Sequence, residues 1–335
     1  MTTPSDITVS QAARLHAPSS SSVGGEPAHL STYLPQDQWW KLYIDPIHHE
    51  AAQERFPENP GGYYDNDPVD PSPGYQQSMQ EAYQKFLDSP EAMSARMDAK
   101  AYEEMHWKAA EHLTDAAATQ WSGNGVTEFP LRGDQASSSP KEELLSDREL
   151  LLDVQEYFSA GVSHSRMPDP ITILDRSNPQ AQAILKTNYQ ADQVQGLVEK
   201  SFERYYDEAA QSKNDEEKLQ AIGKQIRTLQ IVHPFTDYNR RVNNHILLPK
   251  MLMENGFPPV MPDASNKLFQ GGFSKQQIAE SLLTTIQRDY PGFTQSANTT
   301  ELGRSGSNEQ RQSSSPSLPP SILKPSSSTT SAPAR

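Results

Sequence analysis

The sequence predicts a mainly α-helical fold, a helical bundle with one small β element and disordered ends rich in serine and proline. Apolar residues recur at helical spacing through the middle of the chain, which is the primary signal of amphipathic helices. Both ends have few large apolar residues and cannot offset the entropy of ordering. Of the 335 residues, 34% are hydrophobic and 27 are proline, a composition typical of a globular part with disordered ends.

This composition divides the chain into four segments. Residues 1–30 are Ser/Thr-rich and are predicted to be disordered. Residues 31–91 hold two tryptophans and a stretch rich in Pro, Gly, Asp and Tyr, which predicts a wrapping arm followed by a helix. Residues 92–293 form the predicted core, and residues 294–335 are a low-complexity Ser/Pro tail that we expect to be disordered.

Charge and cysteine content exclude several classes of protein. The chain has 29 Lys and Arg against 43 Asp and Glu, a formal net charge of −14, so we expect neither nucleic acid nor an anionic membrane as a partner. It has no cysteine, which excludes disulfides, thiol nucleophiles and zinc–thiolate sites. It has no apolar run long enough for a membrane span and no secretory signal sequence.

The helical periodicity places the elements of the core. Ser89 and Pro90 fit the N-cap and first position of a helix inside the first helical region, and Ser274 fits the N-cap of the last helix. Pro249 lies within a predicted helix and is expected to kink it, because proline removes an i to i−4 hydrogen bond. The helices are predicted over about 76–118, from Ser146 to Phe158, over 190–211, 215–231 and 246–253, and over 274–289.

One short segment has a different pattern. Turn residues at Arg166–Pro170 precede the run Ile171, Thr172, Ile173 and Leu174, which is mostly β-branched. Such a run predicts a short hairpin or an edge strand.

The break between the helices at 215–231 and 246–253 concentrates the residues suited to chemistry. His233 has the pKa range of a general base near neutral pH, and Asp237 offers the hard oxygen that Mg²⁺ prefers. Asn239 is a good helix N-cap, and a helix N-terminus binds anions. With Arg240 and Arg241 close by, the segment predicts a phosphoryl- or nucleotidyl-transfer site.

At these residues the sequence resembles the Fic (Fido) family, whose motif is His-Pro-Phe-x-(Asp/Glu)-Gly-Asn-(Gly/Lys)-Arg. The chain reads His-Pro-Phe-Thr-Asp-Tyr-Asn-Arg-Arg over residues 233–241. The resemblance extends over about 92–290 and includes a helix on each side of the motif. It implies a helical bundle in which Ile171–Leu174 forms part of a β-hairpin flap that holds the target segment.

The resemblance also implies a role for each matching residue. His233 would be the general base that deprotonates a Ser, Thr or Tyr hydroxyl of a target protein. Asp237 would hold Mg²⁺, Asn239 would orient the α-phosphate, and Arg241 would pair with the distal phosphates. Phe235 would anchor the loop in the core. The reaction implied is transfer of AMP from ATP, or of a related phosphate-containing group from another nucleotide donor.

Two positions depart from the family motif, because both of its glycines are missing: Tyr238 and Arg240 replace them. A backbone anion site often needs positive φ, which costs a non-glycine residue about 1 to 2 kcal/mol. Arg240 either adds a second guanidinium to the phosphates or fills their space, and Tyr238 either stacks on a base or narrows the site. We include both among the candidate phosphate-binding residues.

The leading hypothesis is therefore a protein nucleotidyltransferase that uses Mg²⁺ and a nucleotide such as ATP. The Ser-rich N-terminus suits a secreted bacterial effector that modifies a eukaryotic host protein in the host cytoplasm, and otherwise we expect a cytoplasmic protein. One alternative is a Fic-fold binding protein that has lost activity. The other is a phosphohydrolase or kinase that uses the same pocket.

Overall fold

Helices dominate the computed structural model, which describes residues 27–113, 120–122, 126–130, 182–186, 191–263, 265–269 and 273–293. These residues all belong to one compact unit, Met1–Asn298. The mainly α-helical fold is thus confirmed. The predicted strand Ile171–Leu174 and the predicted helix from Ser146 lie outside the described residues.

The N-terminal arm begins with short helices over residues 30–55, and its Pro-, Gly-, Asp- and Tyr-rich stretch follows them with little regular structure. The arm also contains three turns of 3₁₀-helix, Gln36–Gln38, Pro46–His48 and Pro60–Gly62. Its α-helices are α1 (Leu30–Tyr33), α2 (Trp40–Tyr43) and α3 (His49–Arg55).

The first predicted helical region is three helices, α4 (Tyr75–Phe86), α5 (Pro90–Ser94) and α6 (Ala99–Ala110). The break falls where the sequence predicts an N-cap: Ser89 Oγ accepts a hydrogen bond from Ala92 N at 3.0 Å, and Pro90 takes the first position of α5. The region ends at Ala110, before the predicted boundary of 118.

The helices predicted over 190–211, 215–231 and 274–289 are present with close to the predicted bounds, and the last two have a clear side-chain N-cap. Asn214 Oδ1 accepts from Glu217 N at 2.8 Å, and Ser274 forms a capping box with Gln277. The later helices are α7 (Ala191–Gln211), α8 (Asp215–Val232), α9 (Leu248–Glu254), α10 (Ser265–Leu268) and α11 (Lys275–Asp289).

Two strands form an antiparallel pair: β1 (Val126–Pro130) and β2 (Gln182–Lys186). Val126 lies opposite Lys186, and Pro130 lies opposite Gln182. No strand was predicted at β1, which lies between the helical regions predicted over 76–118 and from Ser146. The reason is that β structure depends on a pairing partner, here more than 50 residues away, as much as on local composition.

Between the motif and α9 the chain forms a π-helical segment, Arg241–Leu247, instead of a regular α-helix. Pro249 follows it in the first turn of α9. Proline cannot donate to the carbonyl four residues earlier, and wider i to i+5 turns are one way to accommodate such a break. The predicted disturbance at Pro249 is therefore present as a change of helix type.

The arm and the helical core share one hydrophobic cluster. Trp39 and Tyr43 of the arm are each 1% exposed and belong to the same cluster as Leu229, Phe235 and Ile246. The arm is therefore packed on the core and not a separate module. Within the described ranges, no helix is both long enough and apolar enough to cross a lipid bilayer.

Candidate functional site

The loop that joins α8 to the π-helical segment has an unusual backbone. His233 ends α8 with φ 48°, and its N–H donates to Leu229 O at 3.1 Å, as in an αL helix cap. Tyr238 has φ 59°. Among the described residues these two are the only non-glycine residues with positive φ. Such strain persists only where the surrounding structure imposes it, and it concentrates at functional sites.

Phe235 holds the middle of this loop in the core. Its side chain is fully buried, and its ring centroid lies 3.8 Å from that of His106, 4.5 Å from that of Trp121 and 5.5 Å from that of Tyr102. Aromatic contacts of this number fix the loop strongly, because each ring buries a large area.

The loop backbone is also held from both sides. Ser122 N donates to Pro234 O at 2.7 Å, and Thr236 N donates to Gln120 O at 3.2 Å. From α6, His106 Nε2 lies 2.7 Å from Asp237 O, so Nε2 carries the proton and donates. Burial lowers the pKa of His106 to about 4, although this hydrogen bond and the charge of Asp237 raise it. His106 is therefore neutral at pH 7.

Sequence reasoning missed the contribution of His106. The signal that could have found it is its position four residues after Tyr102, on the same face of α6. Both side chains are fully buried.

Asn239 closes the loop on itself. Its Nδ2 donates to Phe235 O at 2.8 Å, and its Oδ1 accepts from Phe235 N at 3.0 Å. Nδ2 also lies 3.4 Å from Asp237 O. The amide is thus satisfied by the loop backbone, which makes loop shape the contribution of Asn239 that the geometry describes.

His233 and Asp237 lie at the two sides of the loop and interact electrostatically. Burial lowers the pKa of His233, and the charge of Asp237 raises it in part. The imidazole is therefore neutral near pH 7, the state that a general base requires. Asp237 is exposed, and its Oδ1 accepts a hydrogen bond from Tyr238 N at 2.6 Å.

The two adjacent arginines have different surroundings. Arg240 Nη2 pairs with Asp45 Oδ2 at 2.9 Å, and its side chain is 40% exposed. Arg241 has no carboxylate partner among the described residues. Its Nη2 lies 3.4 Å from Ser72 Oγ, and its buried Nη1 has no hydrogen-bond partner. Of the two arginines, Arg241 is the one whose charge no described carboxylate neutralises.

Asp45, which comes from the arm, is built to hold Arg240. Tyr64 Oη donates to Asp45 Oδ2 at 2.9 Å. Burial alone would raise the pKa of Asp45, but His245, Arg240 and Tyr64 outweigh it and hold the pKa well below the usual range. Asp45 is therefore charged at neutral pH and neutralises Arg240.

The donor set of the loop fits a magnesium ion in one respect. Asp237 is an exposed carboxylate, and only its Oδ1 is engaged within the loop. Mg²⁺ commonly binds one or two carboxylates together with substrate phosphates and water. Asp237 is the residue of the loop that would hold it.

A cleft among the described residues lies away from the loop. It has a volume of about 760 Å³ and is lined by residues of the N-terminal arm, α5, the end of α7 and the end of α9, including Arg96, Tyr206 and Glu254. No residue of the segment 231–241 lines it. The predicted flap residues Ile171–Leu174, which the resemblance places over the loop, lie outside the described residues.

Comparisons with known proteins add a likeness to solved structures. No protein-family model matches the chain, and no curated protein matches it. Among solved structures, a Fic-1 protein from C. elegans is similar at 15% identity and a TM-score of 0.35, covering 76% of this chain and 63% of that chain. The chain thus spans less than two thirds of that structure's length. At this TM-score the likeness carries no argument about function, so the case for a function depends on the loop itself.

Proposed function

We propose that residues 233–241 bind the phosphates of a nucleotide such as ATP and transfer a nucleotidyl group to a hydroxyl of a target protein. The observation that carries this proposal is Arg241, a guanidinium with no carboxylate partner among the described residues, in the same segment 233–241 as neutral His233 and exposed Asp237. A charge held away from bulk water without a counter-ion is costly, and an anionic ligand would offset that cost.

Each residue would then have a defined task. His233 would take the proton of the attacking hydroxyl while its oxygen forms a bond to the α-phosphorus. The bond from the α-phosphorus to the bridging oxygen would break, and pyrophosphate would leave beside Arg241. Asp237 would hold Mg²⁺, which neutralises phosphate charge when bound. Most of the rate enhancement in such reactions comes from positioning and charge stabilisation.

The test is transfer of label from an α-labelled nucleoside triphosphate, with Mg²⁺, to proteins of a eukaryotic lysate. We expect a labelled protein with the wild-type chain and a loss of about 10²- to 10⁴-fold with His233→Ala, as for removal of a general base. ATP, GTP, CTP, UTP and CDP-choline are tried in turn, because the donor is part of the proposal. Absence of transfer from every donor, despite nucleotide binding, would favour the inactive binding protein.

The adjacent arginines provide a matched pair for the binding step. Arg241→Gln should weaken binding of Mg²⁺-ATP by about tenfold or more, the effect of losing one charge-assisted hydrogen bond. Arg240→Gln should change it little, because Arg240 is already paired with Asp45 and Gln can still donate to that carboxylate. Equal effects of the two variants in titration calorimetry would refute the proposed role of Arg241. Release of the terminal phosphate without protein labelling would instead identify a phosphohydrolase or kinase.

A further inference from the structure

The surroundings of Arg241 are aromatic rather than acidic. Its Cζ lies 4.8 Å from the ring centroid of Tyr75 in α4 and 4.6 Å from that of Tyr238 in the loop. Both distances are within the range of cation–π attraction, in which the ring face attracts the guanidinium. A carboxylate would also orient an arginine, but it would neutralise the charge. An aromatic face orients the guanidinium and leaves its charge for another partner.

The ring of Tyr75, one of the two aromatic neighbours of Arg241, is held rigidly. It is 1% exposed, and its Oη lies 2.7 Å from Tyr43 O, to which it donates, and 2.9 Å from His245 Nδ1. Its ring also packs against those of Tyr43 and Tyr64, with centroids 5.9 and 5.3 Å away. The hydroxyl is therefore engaged in fixing the ring, and the face towards Arg241 is held in one place.

Tyr238, the other aromatic neighbour of Arg241, has a strained backbone. Its φ of 59° is a conformation that glycine adopts at no steric cost and that tyrosine rarely adopts. A glycine at this position would give the same loop backbone without strain. Tyrosine at this backbone angle places an aromatic ring over Arg241, which glycine cannot do.

We propose that Tyr75 and Tyr238 are positioning residues that clamp the guanidinium of Arg241 between two rings, so that its free N–H groups meet a pyrophosphate-type anion. This inference depends on the proposed phosphate role of Arg241. It assigns a function to Tyr238, the residue that departs from the family motif. It also makes the N-terminal arm part of the site, because Tyr75 is fixed by Tyr43 and Tyr64 of the arm.

The experiment measures binding of inorganic pyrophosphate to the full chain by titration calorimetry, with the thermal midpoint of each variant measured in parallel. Tyr238→Phe keeps the ring, and Tyr238→Gly removes the ring and the backbone strain together. Tyr75→Phe keeps the ring and loses two buried hydrogen bonds, and Tyr75→Leu removes the ring. Arg241→Gln serves as the reference for complete loss of the cation.

We expect the affinity for pyrophosphate to depend on whether a variant keeps the aromatic ring, and not on its thermal stability. Tyr238→Gly and Tyr75→Leu should weaken pyrophosphate binding by about three- to tenfold, the loss of one cation–π contact. Tyr238→Phe should bind as wild type does. Tyr75→Phe should also retain affinity although its thermal midpoint falls. The clearest single result would be a Tyr238→Gly protein that is no less stable than wild type and yet binds pyrophosphate more weakly.

Two outcomes would overturn the inference, and they differ from the failure of the proposed function. If Tyr238→Gly and Tyr75→Leu bind as wild type does while Arg241→Gln does not, the rings do not position Arg241. If affinity falls in proportion to thermal stability in all four variants, the two tyrosines have only a structural role. If wild type and Arg241→Gln bind pyrophosphate equally, the phosphate role of Arg241 itself is wrong.

Discussion

Tyr83 Oη donates a hydrogen bond to the carbonyl oxygen of His245 at 2.7 Å. This is the carbonyl that would accept from residue 249 in an α-helix, and residue 249 is a proline without an N–H. A side chain of α4 thus supplies the donor that the π-helical segment Arg241–Leu247 lacks. The contact connects the helix that follows the motif to α4, whose first residue is Tyr75.

Tyr83→Phe should lower the free energy of unfolding by about 1 to 3 kcal/mol, because it removes a buried hydrogen bond to the His245 carbonyl. In a Pro249→Ala background the cost should be smaller, since alanine restores an N–H near the same carbonyl. Urea unfolding of the two single variants and the double variant gives the coupling energy. An equal cost of Tyr83→Phe in both backgrounds would show that Pro249 is not the reason for this hydrogen bond.

His106 should make the protein less stable as the pH falls from about 6.5. The pKa of His106 is lowered to about 4 in the folded chain, whereas an unfolded histidine has a pKa of about 6.5. Between these values the unfolded state binds more protons, so stability is lost as the pH decreases. His106→Gln, which can still donate to Asp237 O, should flatten this dependence by on the order of 1 kcal/mol per pH unit.

Chemical unfolding of wild type and His106→Gln at about pH 7, 6 and 5 measures the effect. Measurements between about pH 7 and 8 serve as the baseline, because neither form of His106 changes its charge there. A variant with the same loss of stability per pH unit as wild type would contradict the assignment. Other buried histidines with lowered pKa, such as His49 and His245, account for the slope that remains.

The helices were predictable from the sequence because their information is local. The apolar periodicity and the caps at Ser89 and Ser274 placed most helix bounds within a few residues. The strand Val126–Pro130 was not predictable in the same way, since its pairing with Gln182–Lys186 is not local. The arm helices at 30–55 are only four to seven residues long, which is too short for an apolar periodicity to show in the sequence.

The candidate site shows the same division. Local pattern placed His233, Asp237 and Arg241 in one loop between two buried helices. It could not distinguish Arg240 from Arg241, because their difference lies in Asp45 and Tyr75, nearly 200 and more than 160 positions earlier in the chain. The departures from the motif raised the question of positive φ at both Tyr238 and Arg240; it is present at Tyr238, whereas Arg240 has a helical φ of −63°.

A pair of glycines in neighbouring helices tests how tightly the helices beside the site are packed. In α8, a Cβ added to Gly223 would lie 2.4 Å from Ile278 Cγ2 of α11, whereas a Cβ added to Gly196 in α7 meets no atom of the described residues within 4 Å. Helix propensity alone favours alanine over glycine by about 1 kcal/mol at both positions. Gly196→Ala should therefore raise the free energy of unfolding by up to about 1 kcal/mol. Gly223→Ala should lower it by about 1 to 3 kcal/mol, because overpacking outweighs propensity.

Urea unfolding of both variants measures the two changes in the free energy of unfolding. Two changes of the same sign would mean that α8 and α11 are not in the close contact described.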